Sequence, residues 1–494
     1  MSEIVVLNSD ERPSRSKVRF GLTINQVLLF LLILGAGPVL LLLTVQVALI
    51  NTLLIFVFIT LVGFWLCRAT AIRLGDMKLR ILGTLWLIKV GLTLFLLYSG
   101  WIPDLSQGLS ASGAYDPQRY YYDAYTLIED GWNPVVGSNY QGIIFYYGAI
   151  FYLFGHNPVI PALINVFVTL LGTLFLIRAS YEFRGLRGSR NWTIAYVLLI
   201  PEILWYDVMT SRETLAAVLI LVPSLSMGRY LVGTSKVTLL RTLLVSGVCI
   251  IFLLAVRTTM VLPVLISITF IGLLLHSRRQ FGITAKVLLV AFLTGLVLLG
   301  PLVQYLIGGV NVDYVASLQS VQSSTGVIAS GHEWSENSIG LLLAPNSIIE
   351  SILFLLPRTL LYLIAPLPNI GVSITDLLAG SWGAWQNLLT VATSCIIIFA
   401  LPYALSGFSF AIRQRKQYPA PLILHITFWV TLLSIAGGNI IIHERYRIMM
   451  TLLLFTSAWL GYTSCTRKQI NRYAVAWYAL LVCVTIFYMI YKIL

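Results

Sequence analysis

Apolar residues in this chain neither alternate nor form a narrow helical stripe. They come in runs that approach or exceed about 18 residues, parted by short stretches carrying Lys and Arg. Runs of that length predict membrane-crossing helices, because a helix rising about 1.5 Å per residue needs about 20 residues to cross a hydrocarbon layer of about 30 Å. The lack of alternation speaks against a barrel. Spans are expected near 22–43, 45–67, 81–99, 158–180, 192–209, 213–231, 242–256, 258–275, 287–306, 386–408, 420–437, 446–463 and 474–491. The predicted class is an all-α polytopic membrane protein with about 12–14 transmembrane helices.

The basic stretches orient these spans. They are the N-terminal tail, Arg68 to Arg80, Arg184 to Arg190, Arg229 to Arg241, His276 to Lys286, Arg413 to Lys416, and Arg467 to Arg472. Basic loops stay in the cytoplasm. Residues 1–21 then form a cytoplasmic tail and 22–494 a single membrane domain, with outer loops about 100–141 and 308–347. Two apolar stretches, Gly142 to Gly155 and Ile348 to Leu367, break the alternation of sides if they cross. They are expected as interfacial or re-entrant helices on the outer face.

Composition agrees with this picture. The chain of 494 residues is 58% hydrophobic and 10% charged, with a mean hydropathy of +0.88. Its net charge of +13 is spread over loop clusters, as topology signals are, so nucleic acid is not expected as a partner. The five cysteines (Cys67, Cys249, Cys395, Cys465, Cys483) lie in apolar runs or beside basic clusters and imply neither a disulfide framework nor a zinc site. There is no P-loop, nicotinamide fingerprint or thiol nucleophile motif.

The candidate chemistry lies in one polar, aromatic segment, Asp116 to Pro134. Helical spacing puts Asp116, Tyr120, Asp123 and Leu127 on one face. On the predicted topology Asp116, Arg119, Asp123, Glu129, Arg212, Glu213, Arg257, His332, Glu333, Arg358, His443, Glu444 and Arg445 all fall on the extracytoplasmic side. Charges beside apolar spans are costly and are kept where they line a site or pair with each other. A transporter would hold them near mid-span; here Lys89 is the main exception. The pattern points to chemistry at the outer surface.

The segment Asp116-x-x-x-Tyr120-x-x-x-Ala124-x-x-Leu127-x-x-x-Gly131-x-x-Pro134 resembles the first outer loop of GT-C membrane glycosyltransferases, in particular the bacterial protein-mannosyltransferase-like group. Leu153-Phe154-Gly155, Leu163-Ile164-Asn165, Pro201, Ser211-Arg212-Glu213, Arg257 and Glu444-Arg445-Tyr446-Arg447 are similar to later elements, so the likeness covers about residues 80 to 465. Pro117 stands where the family often has a second acid, Gln141-Gly142 replaces a Pro-Pro pair, and extra spans precede the loop. The resemblance implies a GT-C-like bundle. It also implies inverting transfer of a sugar from a polyprenyl-phosphate donor to a glycan, lipid or protein acceptor, in an inner (plasma) membrane among its lipids. Polysaccharide or other cell-envelope synthesis is the expected setting.

Displacing a lipid phosphate from an anomeric carbon requires a base for the acceptor proton and positive charge for the leaving group. Asp116 is the expected base and Asp123 the reserve. A helix cap at Asp116 is a compatible structural role. Arg212, Glu213, Arg257, Arg358, Arg445 and Tyr120 are the expected substrate- and phosphate-binding set, with His332 and His443 as further bases or ligands. The plain alternatives are a surface pair for Arg212 and Glu213, a snorkelling Arg257, an interfacial aromatic belt for the tyrosines and ordinary polar roles for the histidines. Glu444 to Arg447 places two arginines at an outer end, where topology alone does not explain them. No cofactor is certain. A divalent metal (Mg or Mn) through Asp116, Asp123 or Glu213 stays open, and Pro117 counts against it. A surface-polysaccharide polymerase or ligase and a lipid or glycan flippase are the competing functions.

Overall fold

The computed structural model describes residues 49–102, 105, 116–133, 141–182, 191–232, 239–257, 260–261, 263–268, 350, 353–364, 374–415, 419–438 and 444–493. Among them the chain is helical throughout, without strands. It is an all-α, multi-pass membrane protein. The expected tail 1–21, the spans near 22–43 and 287–306, most of the span near 258–275, the loop 308–347, His332, Glu333 and His443 lie outside the described residues.

The helices are α1 (Leu49–Leu74), α2 (Ile81–Tyr98), α3 (Asp116–Glu129), α4 (Gln141–Phe154), α5 (Val159–Glu182), α6 (Pro201–Val208), α7 (Glu213–Val232) and α8 (Leu239–Val256). After them come α9 (Leu355–Ile364), α10 (Ile374–Leu378), α11 (Trp382–Arg413), α12 (Pro419–Gly438), α13 (Ile448–Ser464) and α14 (Arg467–Ile493). Among the described residues, five stretches are long and apolar enough to cross a membrane, Ile50–Leu74, Lys78–Tyr98, Val159–Tyr181, Leu239–Val256 and Trp382–Arg413, with the bent pair Pro201–Val208 and Glu213–Tyr230 as a sixth if it forms one span. α1 runs past the expected end at residue 67, since nothing between Arg68 and Leu74 breaks a helix until Gly75 turns left-handed at φ +68°. Within the described residues α4 and α9 are shorter apolar helices, of 14 and 10 residues.

One expected span takes a different form. The stretch near 192–209 is a 3-10 segment, Asn191–Leu199, joined at Pro201 to the eight-residue α6. Ile200 is extended (φ −62°, ψ 125°), as a residue before proline prefers, so no continuous helix forms. After α6 the chain turns through 116° into α7. α6 packs among α2, α5 and α11, while α7 packs against α5, α8, α12 and α13.

α6 also carries two acids into the bundle. Asp207 pairs with Lys89 of α2 (2.6 Å) and accepts from Thr169 Oγ1 (2.8 Å), while Lys89 Nζ also donates to the Leu198 carbonyl (3.2 Å). Glu202 pairs with Arg447 (3.1 Å), which further donates to Ser394 Oγ (3.0 Å) and the Leu363 carbonyl (3.3 Å). All four charged side chains are fully buried. The charges are therefore not confined to one face as the sequence pattern implied.

Around this interior the apolar surface divides by environment. Phe56, Ile59, Cys67 and Ala71 of α1 are buried, whereas Ile50, Leu54, Phe58, Leu61, Trp65 and Ile72 lie exposed on the same helix. Such an apolar outer stripe suits lipid. α11 and α13 cross so closely that a side chain at Gly461 would overlap the Tyr403 carbonyl, and one at Gly142 would overlap Ala255 where α4 meets α8.

Glu202→Ala strands the Arg447 guanidinium in an apolar site and should cost about 3–5 kcal/mol of stability. Denaturant titration of the detergent-solubilised protein measures it. The double change Glu202→Leu with Arg447→Met should recover most of that loss. A double variant no better than the single one contradicts a pairwise origin.

Candidate functional site

The break between α6 and α7, Met209 to Arg212, is tied to three helices, by side chains of α4 and α5 and by its own Thr210 to α3. Asn165 Nδ2 of α5 donates to the Met209 carbonyl (2.9 Å) and to Tyr147 Oη (3.0 Å). Tyr147 of α4 donates to the Ser211 carbonyl (2.7 Å). Thr210 Oγ1 donates to the Pro117 carbonyl at the start of α3. The turn that carries Arg212 and Glu213 is thereby tied to the turn that carries Asp116.

Charges from four parts of the chain meet there. Arg257, just past the end of α8, donates through Nη1 to Glu213 Oε1 (3.0 Å), and both side chains are 5% exposed. Arg212 Nε lies 3.7 Å from the same Oε1. Arg445, in the 3-10 turn Glu444–Arg447, pairs with Asp116 through Nη1 and donates to Tyr446 Oη through Nη2 (3.2 Å). The guanidiniums of Arg257 and Arg445 lie 4.7 and 5.1 Å from the centre of the Tyr446 ring, and Arg212 lies 6.0 Å from that of Tyr120. These are cation–π distances. Three guanidiniums thus face two carboxylates, two of the guanidiniums over the Tyr446 ring and the third over Tyr120.

Burial acts against the Arg445 charge, but Tyr446, Asp116 and Glu213 outweigh it and hold its pKa well above the usual arginine value. Burial pulls Arg257 down, with Arg212 adding to that pull and Glu213 opposing it. A surplus of preorganised positive charge with forked donors fits an anionic oxygen group such as a phosphate.

The remaining expected site residues stand apart or in other roles. Asp123 faces inward from α3 with Arg119 Nε at 3.7 Å and does not reach the arginines. Arg358 is fully buried, with Nε donating to the Ala436 carbonyl at the end of α12 (2.7 Å). Arg447, grouped in sequence with Arg445, turns the other way into the Glu202 pair. Residues two positions apart in a 3-10 turn project in different directions.

Tyr446, Tyr147, Glu202 and Asp207 are contributors that the sequence reasoning did not single out. For the two acids the signal was present, as ionisable residues inside an apolar run. A divalent cation does not fit the described residues, because no three His, Cys, Asp or Glu side chains converge and Asp116 and Glu213 each face a guanidinium. The chain matches no family model, and neither a curated protein nor a solved structure is found to be similar to it.

Burial raises the Asp123 carboxyl above its ordinary value, and Arg119 offsets only part of that. A raised folded pKa means that protonation favours the folded state. This contribution is complete below about pH 4 and is lost as pH rises through the folded value. Asp123→Asn should therefore raise the thermal midpoint at pH 7–8, with the gain fading towards pH 4. A gain of equal size at both ends of that range contradicts the desolvation argument.

Proposed function

We propose that this protein is a membrane glycosyltransferase. It transfers a sugar from a polyprenyl-phosphate-linked donor to an acceptor on a glycan, lipid or protein. The reaction takes place at the extracytoplasmic face of the inner (plasma) membrane, in cell-surface polysaccharide or glycoconjugate synthesis. The observation that carries this reading is the meeting of Arg257 and Arg445 over Tyr446, with Arg212 beside Glu213 and with Asp116 and Glu213 as the carboxylate partners. The likeness of Asp116 to Pro134 and of the later motifs to GT-C enzymes supports it.

In this reading the arginines hold the donor phosphate. The acceptor oxygen forms its bond to the anomeric carbon as the bond from that carbon to the phosphate oxygen breaks, and the electron pair leaves with the phosphate. Attack from the opposite side inverts the centre. The acceptor's proton passes to the Asp116 carboxylate, and such positioned bases contribute about 100- to 10,000-fold. Stabilisation of the leaving phosphate by fixed guanidiniums supplies the electrostatic part. A flippase is disfavoured, because the mid-bundle charges neutralise each other as Lys89–Asp207 and Glu202–Arg447.

A polymerase or ligase that joins lipid-linked glycans is the second reading. It is favoured by the arginine surplus and by the pairing of Asp116 with Arg445.

The test is transfer of radiolabelled sugar from purified polyprenyl-phosphate donors by the reconstituted protein. Asp116→Asn should lower turnover about 100-fold or more, and Arg257→Gln should raise the donor KM. Turnover that survives Asp116→Asn removes Asp116 as the base. Transfer from longer lipid-linked glycans only, with none from monosaccharide donors, moves the conclusion to the polymerase.

A further inference from the structure

Arg445 is shared between partners. Nη1 is committed to Asp116, while Nη2 donates to the Tyr446 phenol. The pair sits at the rim of the cluster, with the Asp116 side chain 29% exposed and that of Arg445 20% exposed. The Arg257–Glu213 pair is much more deeply buried, at 5% for each side chain. Parting Asp116 from Arg445 therefore leaves the carboxylate in contact with solvent, whereas parting Arg257 from Glu213 would strand two desolvated charges. The donor's phosphodiester carries one negative charge and gains a second as the sugar leaves; placed among Arg212, Arg257 and Arg445, its oxygens compete for the guanidinium edge that Asp116 occupies.

We propose that the Asp116–Arg445 ion pair is a donor-operated latch: the headgroup of a polyprenyl phosphate takes over Arg445, and only then is the Asp116 carboxylate free to receive the acceptor's proton. The role given to Asp116 rests on the sugar-transfer reading. Tyr446 keeps its hold on Nη2 during the exchange, so a small turn of the Arg445 fork is enough. Donor binds before acceptor, and in the donor-free protein the base is covered.

Binding of a short-chain polyprenyl monophosphate to the full-length protein in nanodiscs tests the latch without turnover. Removing the competing charge by Asp116→Asn should tighten binding about three- to tenfold, the scale of one partly exposed ion pair. In an Arg445→Gln background the same change should add nothing. A second measurement needs no variant: carbodiimide labelling of Asp116 in the wild type, read by peptide mass spectrometry, should rise when polyprenyl phosphate is added. Equal or weaker binding by a folded Asp116→Asn protein, or labelling that does not rise, overturns the latch while the phosphate site stands. If neither protein binds polyprenyl phosphate, the sugar-transfer reading falls, and the latch with it.

Discussion

Arg447 and Glu202 meet 3.1 Å apart in a part of the bundle from which both side chains are wholly excluded from solvent. An unpaired charge there would cost several kcal/mol, so each residue fixes the position of the other. Arg447 ends the turn that carries Arg445 and Tyr446, and Glu202 opens the short helix whose far end leads into Arg212 and Glu213. One ion pair thus sets the distance between two of the segments that build the arginine cluster. Thr393, whose hydroxyl accepts from the Glu202 amide (3.0 Å), and Ser394 bring α11 into the same anchor. Lys89 with Asp207 repeats the device at the other end of α6.

The site inherits its character from this division of labour. The two acids that α6 carries into the core are each matched by one cation, Asp207 by Lys89 and Glu202 by Arg447, and serve geometry. The charges at the break between α6 and α7 are mismatched in favour of arginine, and that mismatch is what an anionic ligand would complete. The broken helix joins the two levels. Its proline start and its turn at Met209 to Arg212 expose backbone groups inside an apolar protein. Asn165 and Tyr147 satisfy the Met209 and Ser211 carbonyls rather than leaving them bare.

Much of this was legible in the chain. The long apolar runs gave the helical membrane class, and the alternation of basic loops set Asp116, Arg212, Glu213, Arg257 and Arg445 on one side before any contact was known. Three of the five, Arg212, Arg257 and Arg445, lie in short turns or just past a helix end, where the pattern leaves charge beside a span; Asp116 opens α3 and Glu213 opens α7. The split at Pro201 was not legible, because Asn191 to Val208 is apolar enough to pass as one crossing even though proline ends the preceding segment. The role of Arg447 was hidden for another reason. Its partner is 245 positions away, and two arginines one residue apart look alike until the turn points them in opposite directions. The Arg358 bond to the Ala436 carbonyl could not be read from the chain either, since the two residues lie 78 positions apart.

The central claim is that the arginine cluster receives the phosphate of a polyprenyl carrier. Photo-crosslinking tests it most directly, with a polyprenyl phosphate carrying a diazirine next to its headgroup, reacted with the reconstituted protein and mapped by peptide mass spectrometry. The account predicts labels on the segments around Met209 to Glu213, Arg257 and Arg445 to Arg447, diminished by unlabelled polyprenyl phosphate. Labels confined to the lipid-facing stripe of α1 and the exposed flank of α14, with no competition, would contradict it.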